Sequence, residues 1–429
     1  MTKSPVVVVG AGPVGLAAAA HLVQEGLEPL VLEAGNTVGA SVSSWGHVRL
    51  FSPWHSNIDA AAAKLLVDAG WTIPNLNTLP TGRDLVEDYL IPLSEVPELA
   101  GRIRLGARVT AIGRNVDKVD NDRRTTPFVI RFTTADGEQE VQATSVIDAS
   151  GTWLTPNPLG ANGLPARGEN AVRDRLRYGM PDVLGTEQSH YRGQTTAVVG
   201  SGHSAANAVL ALLELRREDP STTIHWLIRG TTLRAIGGGS ADQLAARGRL
   251  GSAASEAVRT GAVRLHERFP VREIRAAAGR LELVGDRHGL EVDEIVVATG
   301  QRPDRTMTEE LRLDLDLGLD STKVLGPLID PNVHSCGTVR PHTYQALTHP
   351  EEVGFFTVGA KSYGRAPTFL MATGYEQVRS VAAHLAGDEK RAATVQLVMP
   401  ETGACSVGGP SGARAAAELV AASSGACCA

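Results

Sequence analysis

Apolar positions along this 429-residue chain alternate between short β-branched runs and longer stretches with helical spacing. Val6 to Val9 is an unbroken apolar run, as expected of a strand covered on both faces. Val14 to Val23 then places apolar residues along a helix. The chain returns after Glu28 as a second strand ending in Glu33, so strand, turn, helix and strand close within about thirty residues. The same order recurs downstream as Thr196 to Val199, His203 to Leu215 and Thr222 to Ile228. This alternation predicts an α/β protein with two Rossmann-like domains.

The remaining pattern divides the chain. A polar loop bearing aromatics, Val42 to Trp54, precedes a helix-rich insertion. A strand meander follows over about 102–141, in which Phe128 to Thr133 alternates and Asp136-Gly137 suits a hairpin turn. Val146-Ile-Asp-Ala-Ser-Gly151 and Glu294-Ile-Val-Val-Ala-Thr-Gly300 are buried strands ending in glycine, read as crossings between two halves. A second meander occupies 271–284. Gly354 to Gly359 is a closing strand, and a long helix is expected over Thr368 to Leu385, with Pro367 at its start and Gly387 past its end. The expected division is a first nucleotide-binding part at 1–155, a linker at 156–187, a second nucleotide-binding domain at 188–297, a return segment at 298–399, and a mobile Gly, Ser, Ala and Cys-rich tail at 400–429.

The turns carry the chemistry. Gly10-Ala-Gly12-Pro13-Val-Gly15 and Gly200-Ser-Gly202-His203-Ser204-Ala205 each join a strand to a helix. Small residues there allow a tight turn, backbone approach to a pyrophosphate and close helix–strand packing, with the helix N-terminus facing the phosphate charge. Glu33 ends the second strand of the first unit, where a carboxylate accepts from ribose hydroxyls. In the second unit Arg229 holds that place, and a guanidinium suits a 2′-phosphate that a carboxylate would repel. This favours NADPH over NADH, with Arg234 as a second cation nearby; a solvated arginine at a strand end is the plainer alternative.

A net charge of −6 gives no reason to expect nucleic acid or an anionic membrane as partner. Met1 to Val23 has a lysine and an apolar run, but its central glycines fit a βαβ unit better than a signal peptide. No other apolar run is long enough to span a bilayer. Four cysteines in so long a chain do not make a disulfide framework, so a reduced cytoplasm is the expected location.

A nucleotide-binding domain interrupted by a second, with Ala298-Thr-Gly-Gln-Arg-Pro-Asp304 at the return, resembles the two-dinucleotide-binding flavoproteins. Gly200 to Ala206 and Arg49-Leu-Phe-Ser-Pro53 are most similar to flavin-containing monooxygenases. Lys361 to Gln377 and Pro400 to Cys405 are similar to the narrower ArsO type, flavoproteins encoded beside arsenic-resistance genes. The resemblance implies FAD at the first turn and NADPH at the second. It also implies dioxygen as co-substrate and a flavin peroxide that oxygenates a small soft nucleophile such as an arsenical. It places Arg49 near the flavin or nicotinamide as the catalytic cation, Gly359 beside the FAD, and the helix starting at Thr368 with its positive end toward the flavin. Arg49 also reads plainly as a structural arginine. The two other functional readings are an NADPH oxidase or flavin reductase that transfers no oxygen, and a non-enzymatic metalloid- or redox-responsive flavoprotein.

Three departures stand out. Disulfide reductases of this fold carry a close cysteine pair, whereas the cysteines here are Cys336, Cys405, Cys427 and Cys428. The monooxygenase segment before the second turn is present only as His190 and Tyr191-Arg-Gly193 at altered spacing. The glycine–aspartate that usually holds the FAD ribityl chain reads Gly359-Ala360. Cys427-Cys428 resembles the terminal pair of mercuric reductases, and with Cys405 it is the expected site for trivalent arsenic; incidental thiols are the alternative. A tail of this kind reaches a neighbouring subunit's site in a homodimer. His334, Cys336, Arg340, His342, Tyr344 and His349 form a polar set whose spacing fits no familiar zinc pattern.

Overall fold

The computed structural model describes residues 4–231, 233, 244–277, 279–334 and 339–397. Two compact units divide the chain, one formed by Met1–Leu154 with Arg302–Ala429 and the other by Thr155–Gln301.

The first unit holds a parallel sheet and an antiparallel meander. Its first strands are β1 (Val6–Val9), β2 (Pro29–Leu32), β3 (Ile103–Arg104), β4 (Arg108–Arg114), β5 (Phe128–Thr134), β6 (Gly137–Ala143) and β7 (Ser145–Asp148). In the second unit follow β8 (Leu176–Tyr178), β9 (Thr195–Val199), β10 (Thr223–Leu227), β11 (Arg264–His266), β12 (Glu273–Ala277), β13 (Arg280–Val284), β14 (Gly289–Val292) and β15 (Glu294–Val297). β16 (Phe355–Thr357) returns to the first unit.

The sheet of the first unit runs β16-β7-β1-β2-β3, with Val9 opposite both Leu32 and Asp148. Its central valines split between two cores. Val6 and Val8 join the helical core with Leu16, Leu22 and Tyr375, while Val7 and Val9 join the meander core with Phe128, Ile130 and Phe355. That is why β1 is apolar without alternation. β4, β5 and β6 form the meander, and Ala135 with Asp136 makes its hairpin loop, since Thr134 pairs Gly137. The Asp136-Gly137 turn is thus shifted by one residue: Gly137 already opens β6.

Buried ion pairs bind this meander to the return segment. The fully buried Glu352 accepts from Arg114 at 2.9 Å and Arg123 at 2.8 Å. Burial would raise its carboxyl, but hydrogen bonds from the Arg312 amide and both guanidiniums hold it below the usual range. Arg114 also lies 3.5 Å over the Phe128 ring.

The second unit repeats the parallel plan as β11-β10-β9-β15-β8, with Val199 opposite Leu227 and Val297. Val296 faces one core with Trp226 and Leu212, and Val297 the other with Phe269 and Leu281. Residues 156–187, expected as a linker, fold into this unit: β8 is the edge strand beside β15. Buried Glu169 organises the stretch, accepting from the amides of Leu159 and Ala166 and from the Tyr178 hydroxyl at 2.6 to 2.8 Å. The sequence before Leu176 has no apolar alternation, so it carries no strand signature. Thr299 and Asn157 bind each other where the chain enters and leaves this unit.

The closing helix differs from expectation at its start. It runs Met371–Leu385, so Thr368 precedes it instead of opening it. Pro367 and Thr368 form a turn that sets Phe369 edge-on to Tyr363, ring centroids 5.3 Å apart, and only then does the helix begin. Among the described residues no helix is long and apolar enough to cross a membrane.

Candidate dinucleotide sites

At the first turn the chain leaves β1 through Gly10, whose φ of +96° favours glycine, and a Cβ there would meet the Ala149 carbonyl oxygen at 3.0 Å. The helix that follows is Pro13–Gln24. A Cβ on Gly15 would lie 1.9 Å from the Gly10 carbonyl oxygen, so this glycine seats the helix against the strand end. Gly12 behaves differently. It caps the helix without any side-chain hydrogen bond, and a Cβ there would meet no atom within 4 Å. The turn thus presents an open cradle at a helix N-terminus, the setting a pyrophosphate requires. Both oxygens of Glu33 accept backbone amides, Ala11 at 2.6 Å and Gly35 at 2.7 Å. The carboxylate fixes the turn and keeps lone pairs for ribose hydroxyls. These residues fit an adenine dinucleotide.

The return segment comes to the same end of the sheet. A Cβ on Gly359 would touch Val14 at 3.4 Å, and one on Gly374 would lie 2.7 Å from Val14 Cγ2. The helix Met371–Leu385 therefore packs closely on Pro13–Gln24, and its start lies at the first turn. Gln377 is fully buried and holds the Gly359–Tyr363 turn. Its Oε1 accepts from the Gly359 amide at 2.8 Å, and its Nε2 donates to Ser362 Oγ at 2.9 Å. The Gly359 amide is thereby engaged within the chain.

A buried polar group that the sequence reading did not single out lies under this end. Lys361 pairs with Asp148 at 2.8 Å and donates to Ser150 Oγ at 3.0 Å, while Ser150 Oγ donates to Asp148 Oδ1 at 2.7 Å. Arg305 adds a second cation. Burial lowers its guanidinium, against the pull of Asp148 and Asp320, and its buried Nε and Nη1 have no partner among the described residues. The available signal was Asp148 itself, a carboxylate closing a short strand directly after Val146 and Ile147, where burial demands a cation.

In the second unit Gly200 has φ +139°, and a Cβ there would overlap the Ala298 carbonyl oxygen at 2.1 Å. The helix His203–Glu218 begins at Gly202, again without a side-chain cap and with open space at its Cβ position. Ser204 lies in the first helical turn. Ala205, fully buried, stands where the first turn has Gly15. Trp226 Nε1 donates to the Gly200 carbonyl at 2.7 Å and fixes the turn on β10. Arg229 is exposed just past β10 and donates to the Ala161 carbonyl at 3.1 Å.

Other expected residues are scattered. Arg49 is exposed and donates to the Leu79 carbonyl at 2.7 Å, in a bridge to Thr81. Thr368 is buried, and its hydroxyl has no partner among the described residues. Two described members of the polar set before β16 turn to different partners: Tyr344 stacks on His384 at 4.1 Å and donates to Glu389, while His349 accepts from the Asp314 amide at 3.1 Å. Among the described residues no group of three or more His, Cys, Asp or Glu could hold a metal. Arg234, Cys336, Cys405, Cys427 and Cys428 lie outside the described residues.

Comparison with known proteins agrees with this architecture. Many solved structures share the fold, these three among them. A bacillithiol disulfide reductase from Bacillus cereus is 20% identical, with 90% of this chain and 100% of that one covered and a TM-score of 0.66. A cadaverine monooxygenase of desferrioxamine biosynthesis from Erwinia amylovora, bound to FAD, is 16% identical over 94% and 98%, TM-score 0.63. A flavin-containing monooxygenase from Stenotrophomonas maltophilia is 18% identical over 90% and 100%, TM-score 0.55. No curated protein matches the chain. The pyridine nucleotide-disulphide oxidoreductase family model matches residues 7–321, and with a dinucleotide turn in each unit the chain belongs to that family.

Proposed function

We propose that the protein is an FAD- and NADPH-dependent monooxygenase acting on a small soft nucleophile. The observation that carries this reading is the pairing of two open dinucleotide cradles, at Gly12 and Gly202, with a sequence whose cysteines begin only at Cys336. Neither the first 335 residues nor the second unit contains the thiol pair through which a disulfide reductase works. In this reading Gly10, Gly12, Pro13, Gly15 and Glu33 hold FAD. Gly200, Gly202, His203, Ser204, Ala205 and Arg229 hold NADPH, and Gly359 and Thr368 border the flavin. The chemistry FAD supplies when bound is transfer of two electrons from a nicotinamide to dioxygen. The chain's own contribution is to bind, orient and shield, with Arg49 as the cation offered to the reacting groups. Monooxygenases among the similar folds support this reading, and disulfide reductases among them set the rival to test.

Trivalent arsenicals are the first substrates to assay, on the resemblance of Lys361 to Gln377 and of Pro400 to Cys405, with Cys405, Cys427 and Cys428 as capturing thiolates. The FAD-loaded protein, given NADPH, oxygen and phenylarsine oxide, should yield oxygenated arsenical in proportion to NADPH consumed. Stoichiometric hydrogen peroxide without product would instead establish an oxidase. NADPH-dependent turnover of a disulfide would establish a reductase. The variant C427S/C428S should bind the arsenical more weakly while its FAD content stays that of the wild type.

A further inference from the structure

The end of β10 is flanked by a second arginine that the local sequence gives no reason to notice. β10 and β11 run parallel with Leu227 opposite His266, and their hydrogen bonding continues beyond both strands. The Ile228 amide donates to the His266 carbonyl at 3.0 Å, the Phe269 amide to Ile228 at 3.0 Å, and the Arg268 amide to Gly230 at 2.8 Å. Arg268, thirty-nine positions after Arg229 in sequence, is thus held beside the Arg229-Gly230 corner.

Its backbone is unusual. Arg268 has φ +51°, a left-handed conformation that disfavours a residue with a Cβ, and such positions recur where a chain clamps a ligand. The side chain is exposed and makes no hydrogen bond or ion pair among the described residues. Most exposed arginines of this unit are already committed, Arg167 to Glu273, Arg272 to Asp286 and Arg275 to Glu273 and Glu282. Glu267, exposed next to Arg268, is the one adjacent carboxylate in sequence.

We propose that Arg268 adds a guanidinium to a 2′-phosphate clamp, acting with Arg229 to set preference for NADPH over NADH. The inference rests on the reading of the second turn as the NADPH site. A further guanidinium matters because a phosphate monoester carries nearly two negative charges, and Arg229, exposed and already donating to Ala161, neutralises only part of that.

The test is direct binding of NADP⁺ and NAD⁺ to the FAD-loaded protein by calorimetry, for wild type, R229A, R268K and R268G. Glycine accepts a positive φ, so R268G removes the guanidinium without straining the backbone. Losing one charge-assisted contact should weaken NADP⁺ by about tenfold or more and leave NAD⁺ within about twofold. R268K should retain part of the preference, and the salt dependence of NADP⁺ binding should flatten in R268G. If R229A weakens NADP⁺ while R268G binds it as wild type does, Arg268 has no such role and the NADPH reading stands. Equal loss of both nucleotides in R268G would assign Arg268 to the fold and overturn the proposal. Equal wild-type affinity for the two nucleotides would overturn both the clamp and the NADPH reading.

Discussion

Lys361, two residues beyond Gly359, reaches back beneath the first turn to Asp148 at the end of β7, Nζ to Oδ2 2.8 Å, with side chains only 1% and 0% exposed. The pair connects the return segment to the strand that precedes the crossing, and Ser150 bonds to both partners. Removing one member leaves a buried charge with no counterion. Lys361→Met should cost about 3–5 kcal/mol of unfolding free energy. The double variant Lys361→Met, Asp148→Leu should recover much of that loss, and chemical denaturation of the three proteins measures it. A Lys361→Met loss below about 1 kcal/mol would place the pair's energy elsewhere.

The two glycines of the first turn should separate stability from cofactor binding. Gly15→Ala places a Cβ against the Gly10 carbonyl and should destabilise the apoprotein and the FAD-loaded form alike. At Gly12 a Cβ meets open space, so Gly12→Leu should cost the apoprotein less than Gly15→Ala does, while the purified protein is colourless. Visible absorbance and thermal denaturation with and without added FAD check both. Yellow Gly12→Leu protein would show that FAD does not depend on this cradle.

Arg229→Ala should act on the nucleotide and not on the flavin. The loss is expected in KM for NADPH, about 10- to 150-fold for one charge-assisted contact, with kcat at saturation little changed. Steady-state kinetics with NADPH and NADH report the split. A fall in kcat for both nucleotides would show that Arg229 holds the Ala161 loop instead.

Buried histidines set an acid limit, His342 and His349 among them. Burial pushes His342 and His349 down from 6.5 to about 4, with His334 beside the first and Arg305 beside the second adding to the effect. The unfolded chain then binds more protons than the folded one between those values. Stability is retained above pH 6.5 and lost as pH falls toward 4, by up to about 1.4 kcal/mol per pH unit for each histidine. Urea midpoints at pH 7.5 and 5 should show this slope, and His349→Asn should reduce it. A slope unaffected by that change would assign the acid sensitivity to other groups.

Sequence alone determined the local units: the valine run of β1, the glycine turns, Glu33 and Arg229 at strand ends, and the closing helix up to Gly387 were all legible. Each depends on contacts within about thirty residues, where periodicity and backbone geometry act directly. The start of that helix was misplaced because Pro367 is as good at opening a turn as at opening a helix, and the packing of Phe369 on Tyr363 decided between them. Residues 156–187 looked like a linker because an edge strand such as β8 needs its partner more than an apolar pattern of its own. The long-range pairings were beyond any window of sequence. Lys361 with Asp148, Glu352 with Arg114 and Arg123, and Arg268 beside Gly230 each join residues far apart in the chain. A charge reveals by itself that it needs a partner when buried, but which partner it meets is fixed only when sheet register and helix packing bring distant segments together.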